Sequence, residues 1–89
     1  MGDRDGRSPD SLANATVGSR VCITSARLDE DMCSWLAAVG LHVGEEVIVL
    51  RRAAFGGPLH VRTSSGGEFA VAREVASCLQ VTAATEGSR

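Results

Sequence analysis

The sequence lacks lysine and any excess of positive charge, because its nine basic residues are all arginines and its formal net charge is −2. A nucleic-acid-binding domain of this size normally carries a clear basic excess, so we expect no nucleic-acid partner. No run of about 18 apolar residues occurs, which argues against insertion into a membrane. The first residues contain no apolar core of a secretory signal, so a cytoplasmic location is the default expectation.

Cysteine and histidine are also scarce. The three cysteines, Cys22, Cys33 and Cys78, are widely spaced and odd in number, unlike the framework of a disulfide-stabilised secreted domain. Zinc and iron sites usually contain close Cys or His pairs, and none occurs here. Neighbouring first and last strands could still bring Cys22 near Cys78. We expect no cofactor; if iron or zinc binds, the candidate ligands are Cys22, Cys33, Cys78 and His60.

The chain has few groups that could catalyse a reaction. Nucleophilic catalysis needs a Ser or Cys held beside a base, and only His42 and His60 could supply an imidazole base. The two glycine pairs are not followed by a long helix whose N-terminus could hold a phosphate. We therefore predict that the protein is not an enzyme and that it works by binding a partner.

What the sequence does contain indicates one small folded domain. Of its 89 residues, 44% are hydrophobic, enough for a packed core and too many for a wholly disordered chain. Residues 1–16 are small and polar without periodicity, and we assign them to a disordered N-terminal tail. Residues 83–89 are assigned to a flexible C-terminal tail in the same way. The folded domain is then expected over residues 17–82.

Most of the domain has the patterns of short β-strands. Segments rich in β-branched residues or alternating in polarity are Arg20–Thr24, Glu46–Arg52, Leu59–Thr63, Glu68–Ala72 and Leu79–Thr82. The run 64–67 is typical of a hairpin turn, and 73–77 is long enough for one helical turn only. Five short strands around a small core should curl into a barrel, because closure removes open edges. The fold class predicted is mainly β: a small SH3-like barrel with one short helix after the first strand.

That helix has consistent start and stop signals. Its apolar residues fall at helical spacing in one stripe, made of Leu28, Met32, Trp35, Leu36 and Val39. Asp29 is the expected N-cap. Gly40 is the expected left-handed stop, which would bring Leu41 against Leu36 in a Schellman closure.

The residues of this helix and of the strand after it resemble a known family. Trp35–Gly44 looks like the FeoA pattern of an apolar helix that ends in L-x-x-x-G-L/I-x-x-G. Glu46–Leu59 is similar to the next strand of that family and its G-G-P-L turn. Arg73–Ala76 and the final strand also match, so the likeness covers residues 17–81. The order and spacing of the motifs carry the resemblance.

The resemblance implies an SH3-like barrel and a cytoplasmic accessory role in bacterial ferrous iron uptake. It also implies the partner, the cytoplasmic part of FeoB, a membrane transporter with a cytoplasmic GTP-binding domain. The same domain forms the C-terminal part of iron- or manganese-dependent repressors, but no helix-turn-helix precedes the barrel here, so we expect the stand-alone form. Two alternatives stay open: a metal-binding carrier or sensor with Cys and His ligands, and a repressor-type regulatory domain. We expect a monomer or a weak homodimer, since small barrels can pair at strand edges.

A few residues are candidates for contact with the partner. Tryptophan is enriched in interface hot spots, and the residues on either side of the Gly56–Gly57 pair lie in an exposed turn. The partner-binding candidates are Trp35, Leu36, Leu41, Phe55 and Pro58, although leucines at such positions are more often core residues. The glycines expected to shape turns are Gly40, Gly44, Gly56 and Gly57. A solvated surface is the expected role of Arg51, Arg52, Arg62 and Arg73, which could otherwise form a basic face.

Overall fold

A computed structural model describes residues 10–84 and contains five β-strands, as predicted. They are β1 (Arg20–Ala26), β2 (Glu46–Arg52), β3 (Leu59–Thr63), β4 (Glu68–Val71) and β5 (Leu79–Ala83). The predicted helix is α1 (Glu30–Ala38), and the single helical turn before the last strand is α2 (Arg73–Ala76). A 3₁₀ turn, Leu12–Asn14, precedes β1. The predicted class and order of elements are therefore those of the structure, with β1 and β5 longer and β4 shorter than expected.

The strands form one antiparallel sheet in the order β4-β3-β2-β1-β5. The first and last strands are neighbours, with Ile23 opposite Val81. Register shifts in β1, after Ile23, and in β2, after Val49, mark bulges, which bend and twist strands. Within residues 10–84 no ladder joins β4 to β5, so the sheet is not closed and keeps two edges. The expectation that closure would remove the edges is therefore wrong, because β4 and β5 do not pair.

Alternation along the strands builds the core. Successive side chains of a strand point to opposite faces, and the inward set is buried in every strand. It consists of Val21, Ile23, Val47, Val49, Leu59, Val61, Val71, Leu79 and Val81. Phe69 of β4 is partly buried against the same cluster.

The N-terminal segment differs from the prediction of a tail over residues 1–16. Leu12 and Ala15 have no exposed surface, and Ala13 is buried as well. The guanidinium group of Arg52 donates hydrogen bonds to the carbonyls of Ala13 and Ala15, the latter at 2.6 Å. Residues 11–15 therefore belong to the folded core. A single large apolar side chain in a polar stretch has no periodicity, which is why sequence patterning missed it.

The other tail assignments are affected less. Ala83 belongs to β5 and Ala84 donates its N–H to the carbonyl of Arg20 at 3.0 Å. The folded part thus extends slightly beyond the predicted end at residue 82. Residues 1–9 and 85–89, the rest of the two predicted tails, lie outside the described residues.

Helix α1 begins and ends as its sequence signals predict. The N–H of Met32 donates to Asp29 Oδ1 at 2.9 Å, which makes Asp29 the N-cap. Gly40 has φ 103° and donates to the carbonyl of Ala37, while Leu41 donates to the carbonyl of Leu36 at 2.8 Å. These two hydrogen bonds are those of a Schellman motif. The closure buries both leucines and directs the chain from α1 towards β2.

Candidate partner-binding surface

The apolar stripe of α1 is largely uncovered. Only Leu36 is buried, whereas 64% of the Trp35 surface is exposed and more than a third of Met32 and Val39 is exposed too. In the described part of the chain, no strand or helix runs closely alongside α1. An amphipathic surface helix normally turns its stripe towards the core. Here most of that stripe faces solvent.

The exposed stripe forms one wall of a groove with a volume of about 330 Å³, which we call the α1–β4 groove. Helix α1 contributes Met32, Trp35, Leu36 and Val39. The facing wall is β4 and the residue after it, 69–72, and the lining is completed by Leu41 and Val75. Every one of these residues is apolar, so the groove presents a continuous hydrophobic surface to solvent.

A shallow acidic depression adjoins the groove at the start of α1. It is lined by Asp29, Asp31, Met32 and Trp35, and it shares Met32 and Trp35 with the groove. Both carboxylates lie in or before the first helical turn, where negative charge is favourable. The apolar groove thus ends beside two acidic side chains.

The predicted contact residues divide between the α1–β4 groove, the β2–β3 loop and a hollow that shares Ala70 with the groove. Trp35, Leu36 and Leu41 all line the α1–β4 groove. Phe55 lies in the β2–β3 loop, fully exposed and with φ 60°, and Pro58 lines a different hollow beside Arg51 and His60. Residues 69–72 were not among the predicted contact residues, because their place opposite α1 depends on tertiary structure.

Three of the four glycines expected to shape turns have positive φ values. Gly40, Gly44 and Gly56 have positive φ values of 103°, 95° and 75°, which side chains disfavour. At Gly57 an added Cβ would lie 2.7 Å from Cβ of Ala53, so the loop leaves no room for a side chain there.

A hydrogen-bond network fastens the loop after α1 to the β3–β4 hairpin. Glu45 is nearly buried and accepts hydrogen bonds from the Ser64 hydroxyl at 2.7 Å and from the Ser65 N–H at 3.2 Å. His42 Nε2 lies 3.5 Å from Glu45 Oε1. The Ser64 hydroxyl, and then the Ser65 N–H and His42, hold the pKa of Glu45 below its ordinary value, although burial opposes them. This network links the loop that follows α1 to the turn that leads into β4.

The arginines do not form an open basic face. Arg62 donates to Glu68 at 2.7 Å, and His60 Nε2 lies 3.5 Å from the same carboxylate. Arg62, and then His60, lower the pKa of Glu68. Arg52 is occupied by the N-terminal carbonyls. Three of these four arginines thus have partners within the protein, since Nη2 of Arg51 also lies 3.4 Å from Nδ1 of His60.

Cys22 and Cys78 lie apart from each other. Cys22 is opposite Thr82 in the β1–β5 ladder, whereas Cys78 precedes β5 and its carbonyl accepts from Arg27. Four residues of strand separate Thr82 from Cys78, roughly 13 Å along the sheet. The strand register therefore contradicts the expectation that the barrel could bring Cys22 near Cys78. Among residues 10–84, no three His, Cys, Asp or Glu side chains are grouped to hold a metal ion.

Neither helix between residues 10 and 84 is long and apolar enough to cross a membrane. A family model, the FeoA domain, matches residues 11–83. No curated protein matches the chain significantly.

Several solved structures share the fold. A FeoA described as an iron uptake regulatory protein has a TM-score of 0.69 at 21% identity, with 80% of this chain and 90% of that chain covered. The FeoA protein of Chlorobium tepidum has a TM-score of 0.76 at 24% identity, covering 88% and 73%. A manganese-dependent transcriptional repressor has a TM-score of 0.76 at 20% identity, covering 86% of this chain and only 37% of the repressor. The predicted SH3-like fold class is confirmed, and the chain belongs to the FeoA domain family.

Proposed function

We propose that this protein is a cytoplasmic, non-enzymatic accessory protein of ferrous iron transport that binds the cytoplasmic part of FeoB through the α1–β4 groove. The membership of the FeoA domain family over residues 11–83 supports the link to iron transport. The observation that supports the surface is the uncovered apolar stripe of α1, which faces β4 across the groove.

The physical argument starts from the composition of this surface. Contiguous exposed apolar patches on small domains mark interaction sites, and the centre of such a patch is where tryptophan contributes most to binding. Trp35 combines a large exposed ring with a place in a groove whose lining residues are all apolar. The other exposed aromatic ring, Phe55, lies in a loop outside this groove. The groove is therefore the better interface of the two.

The metal-carrier alternative lacks comparable support. The described residues contain no group of three metal-ligating side chains, and the cysteines are spread over β1, α1 and the turn before β5. The repressor-type alternative rests on a shared fold at low identity. Protein binding remains the function for which this chain presents a formed surface.

Titration of the full chain with the cytoplasmic domain of FeoB, in GDP-bound, GTP-analogue-bound and nucleotide-free states, tests this proposal. Trp35 is the sole tryptophan, so labelling with 5-fluorotryptophan gives one ¹⁹F signal that reports on the groove. We expect saturable binding that shifts this signal. Absence of binding in all three states would contradict the proposal.

The two exposed aromatic residues provide a matched pair of variants. Trp35→Ala should weaken binding about tenfold or more, as hot-spot truncations do, while Phe55→Ala should leave the affinity nearly unchanged. For both variants we expect a free energy of unfolding within about 0.5 kcal/mol of that of the parent, because both rings are mostly exposed. If Phe55→Ala alone weakens binding, the β2–β3 loop and not the groove is the interface.

A further inference from the structure

The two edges of the sheet differ in what lies beside them. At the β5 edge, Ser11 forms a β-bridge with Gln80, and Val81 donates to the carbonyl of Asp10 at 3.4 Å. At the other edge, β4 pairs with β3 alone within the described residues. The backbone of β4 therefore has one side without a neighbouring strand.

The strand register shows which backbone groups lie on that side. Thr63 donates to the carbonyl of Gly67 at 2.9 Å, so these residues form a hydrogen-bonded pair. Bonded and non-bonded pairs alternate along an antiparallel ladder, which makes Val61 and Phe69 the next bonded pair. Ala70 lies opposite His60 in a non-bonded pair. Its N–H and C=O consequently point away from β3, towards the outer edge.

The α1–β4 groove runs along this same edge. Residues 69, 70, 71 and 72 all line the groove, although neighbouring side chains of a strand point to opposite faces. Four consecutive residues can share one lining only if the groove follows the edge of the strand. A segment lying there would meet the backbone of Ala70 on one side and the apolar side chains of α1 on the other.

The acidic depression adds a charge preference to the groove. Asp31 and Asp29 lie beside the exposed ring of Trp35, and no basic side chain of residues 10–84 lines the depression or the groove. An ammonium or guanidinium group placed there would be attracted by the carboxylates and by the face of the indole ring. This arrangement is complementary to a cation and unfavourable to an acidic group.

We propose that the groove receives an extended polypeptide segment that adds to β4 as a sixth strand. Its backbone bonds to Ala70, its apolar side chains contact α1, and one Arg or Lys side chain lies over Trp35 beside Asp31. Addition of a strand to an exposed sheet edge is a common mode of peptide recognition, in which main-chain hydrogen bonds give affinity and side-chain contacts give specificity. This inference rests on the proposed function for the protein that carries the segment, the cytoplasmic part of FeoB.

Amide hydrogen exchange of the full chain, with and without a saturating amount of the FeoB cytoplasmic domain, tests the strand addition. We expect the exchange of the Ala70 amide to slow about tenfold or more in the complex, because it gains a hydrogen bond. Binding without protection of Ala70, as for a helix lying in the groove, overturns the strand addition and leaves the proposed function intact. No binding at all overturns both.

The same measurement without FeoB tests whether a second copy of this chain occupies the groove. Protection of Ala70 that rises with the concentration of the protein alone would show self-pairing through β4 and would overturn the inference. We expect the exchange rate of Ala70 to be independent of that concentration.

A proline variant removes the outward donor directly. Ala70→Pro deletes an N–H that β3 does not use, and proline is tolerated on edge strands. We expect it to weaken binding about tenfold, as the loss of a hydrogen bond to an extended segment would. Ala70→Ser keeps the N–H and should bind as the parent does. If Ala70→Pro fails to fold, amide exchange of the parent chain still tests the strand addition.

Two acidic residues of the first turn of α1 give a matched test of the cation. Asp31 lines the depression and Glu30 does not, and both are exposed. Asp31→Asn should weaken binding about threefold and make it less sensitive to salt, while Glu30→Gln should have almost no effect. Equal effects of the two variants would indicate only long-range attraction and would overturn the cation contact.

Discussion

The two edges of this small sheet are covered to different extents. Beside β5, the 3₁₀ turn of the N-terminal segment covers the core with Leu12, and Arg52 binds the carbonyls of that segment. Beside β4, helix α1 leaves most of its apolar stripe exposed and a groove open. A short helical element lies beside each edge, but only the 3₁₀ turn is packed closely against the core.

This difference separates a stabilising side from a binding side. A domain of this size buries a smaller share of its surface than a large domain does and has little stability to spare. A side chain such as Leu12 that is removed entirely from water therefore contributes substantially to the fold. The exposed stripe of α1 contributes little in the free protein, and its burial remains available to a partner. The comparison predicts large stability effects beside β5 and small ones beside β4.

The largest effect is expected at Leu12. Leu12→Ala removes a side chain with no exposed surface and should lower the free energy of unfolding by about 2–5 kcal/mol. Urea denaturation measures it, with Val17→Ala, nearly half exposed in the same segment, as a control that should change little. A loss at Leu12 no larger than the loss at Val17 would show that the N-terminal segment does not stabilise the core.

A smaller effect is expected at the guanidinium group that binds this segment. Arg52→Ala leaves the carbonyls of Ala13 and Ala15 without their donor and should destabilise the protein by about 1–3 kcal/mol. The guanidinium group of the adjacent Arg51 lies 3.4 Å from Nδ1 of His60 at an exposed position, so Arg51→Ala serves as the control in the same urea titration. Similar losses for both arginines would mean that charge, rather than binding of the carbonyls, matters.

The smallest effect concerns Glu45, which connects the loop after α1 to the β3–β4 hairpin. Because hydrogen bonding in the folded state lowers its pKa below 4.5, the stabilisation from this carboxylate is present above the unfolded pKa. It is lost as the pH falls through the lower, folded pKa. Glu45→Gln should therefore be less stable than the parent at pH 7, and the difference should shrink as the pH is lowered from about 5 to 3.

Urea titrations at several pH values measure this difference. Ser64→Ala removes the largest cause of the lowered pKa and should reproduce part of the change. Ser77→Ala, whose hydroxyl donates to a backbone carbonyl instead, should not. A difference between Glu45→Gln and the parent that stays constant with pH would show that ionisation of Glu45 is not coupled to folding.

Local features of the protein were predictable from particular residues. Asp29 caps the start of α1 and Gly40 its end through hydrogen bonds within a few residues. The apolar run of β2 and the alternation of β3 are visible in seven and five letters of sequence. The bounds of both strands were predicted as the structure has them. These features depend on contacts close along the chain, so neighbouring residues carry the information.

The sequence by itself determined that this is a small, mainly β domain with one capped helix and that its motifs resemble those of the FeoA family. Only the tertiary structure decided that Leu12 is core while Trp35 is exposed. The residue types favour burial of both, because both are large and apolar. What covers each side chain depends on segments distant in the chain: β5, α2 and Arg52 lie near the N-terminal turn, whereas β4 lies across an open groove from Trp35. The order of residue types along the chain does not show which distant segments lie next to each of these two side chains.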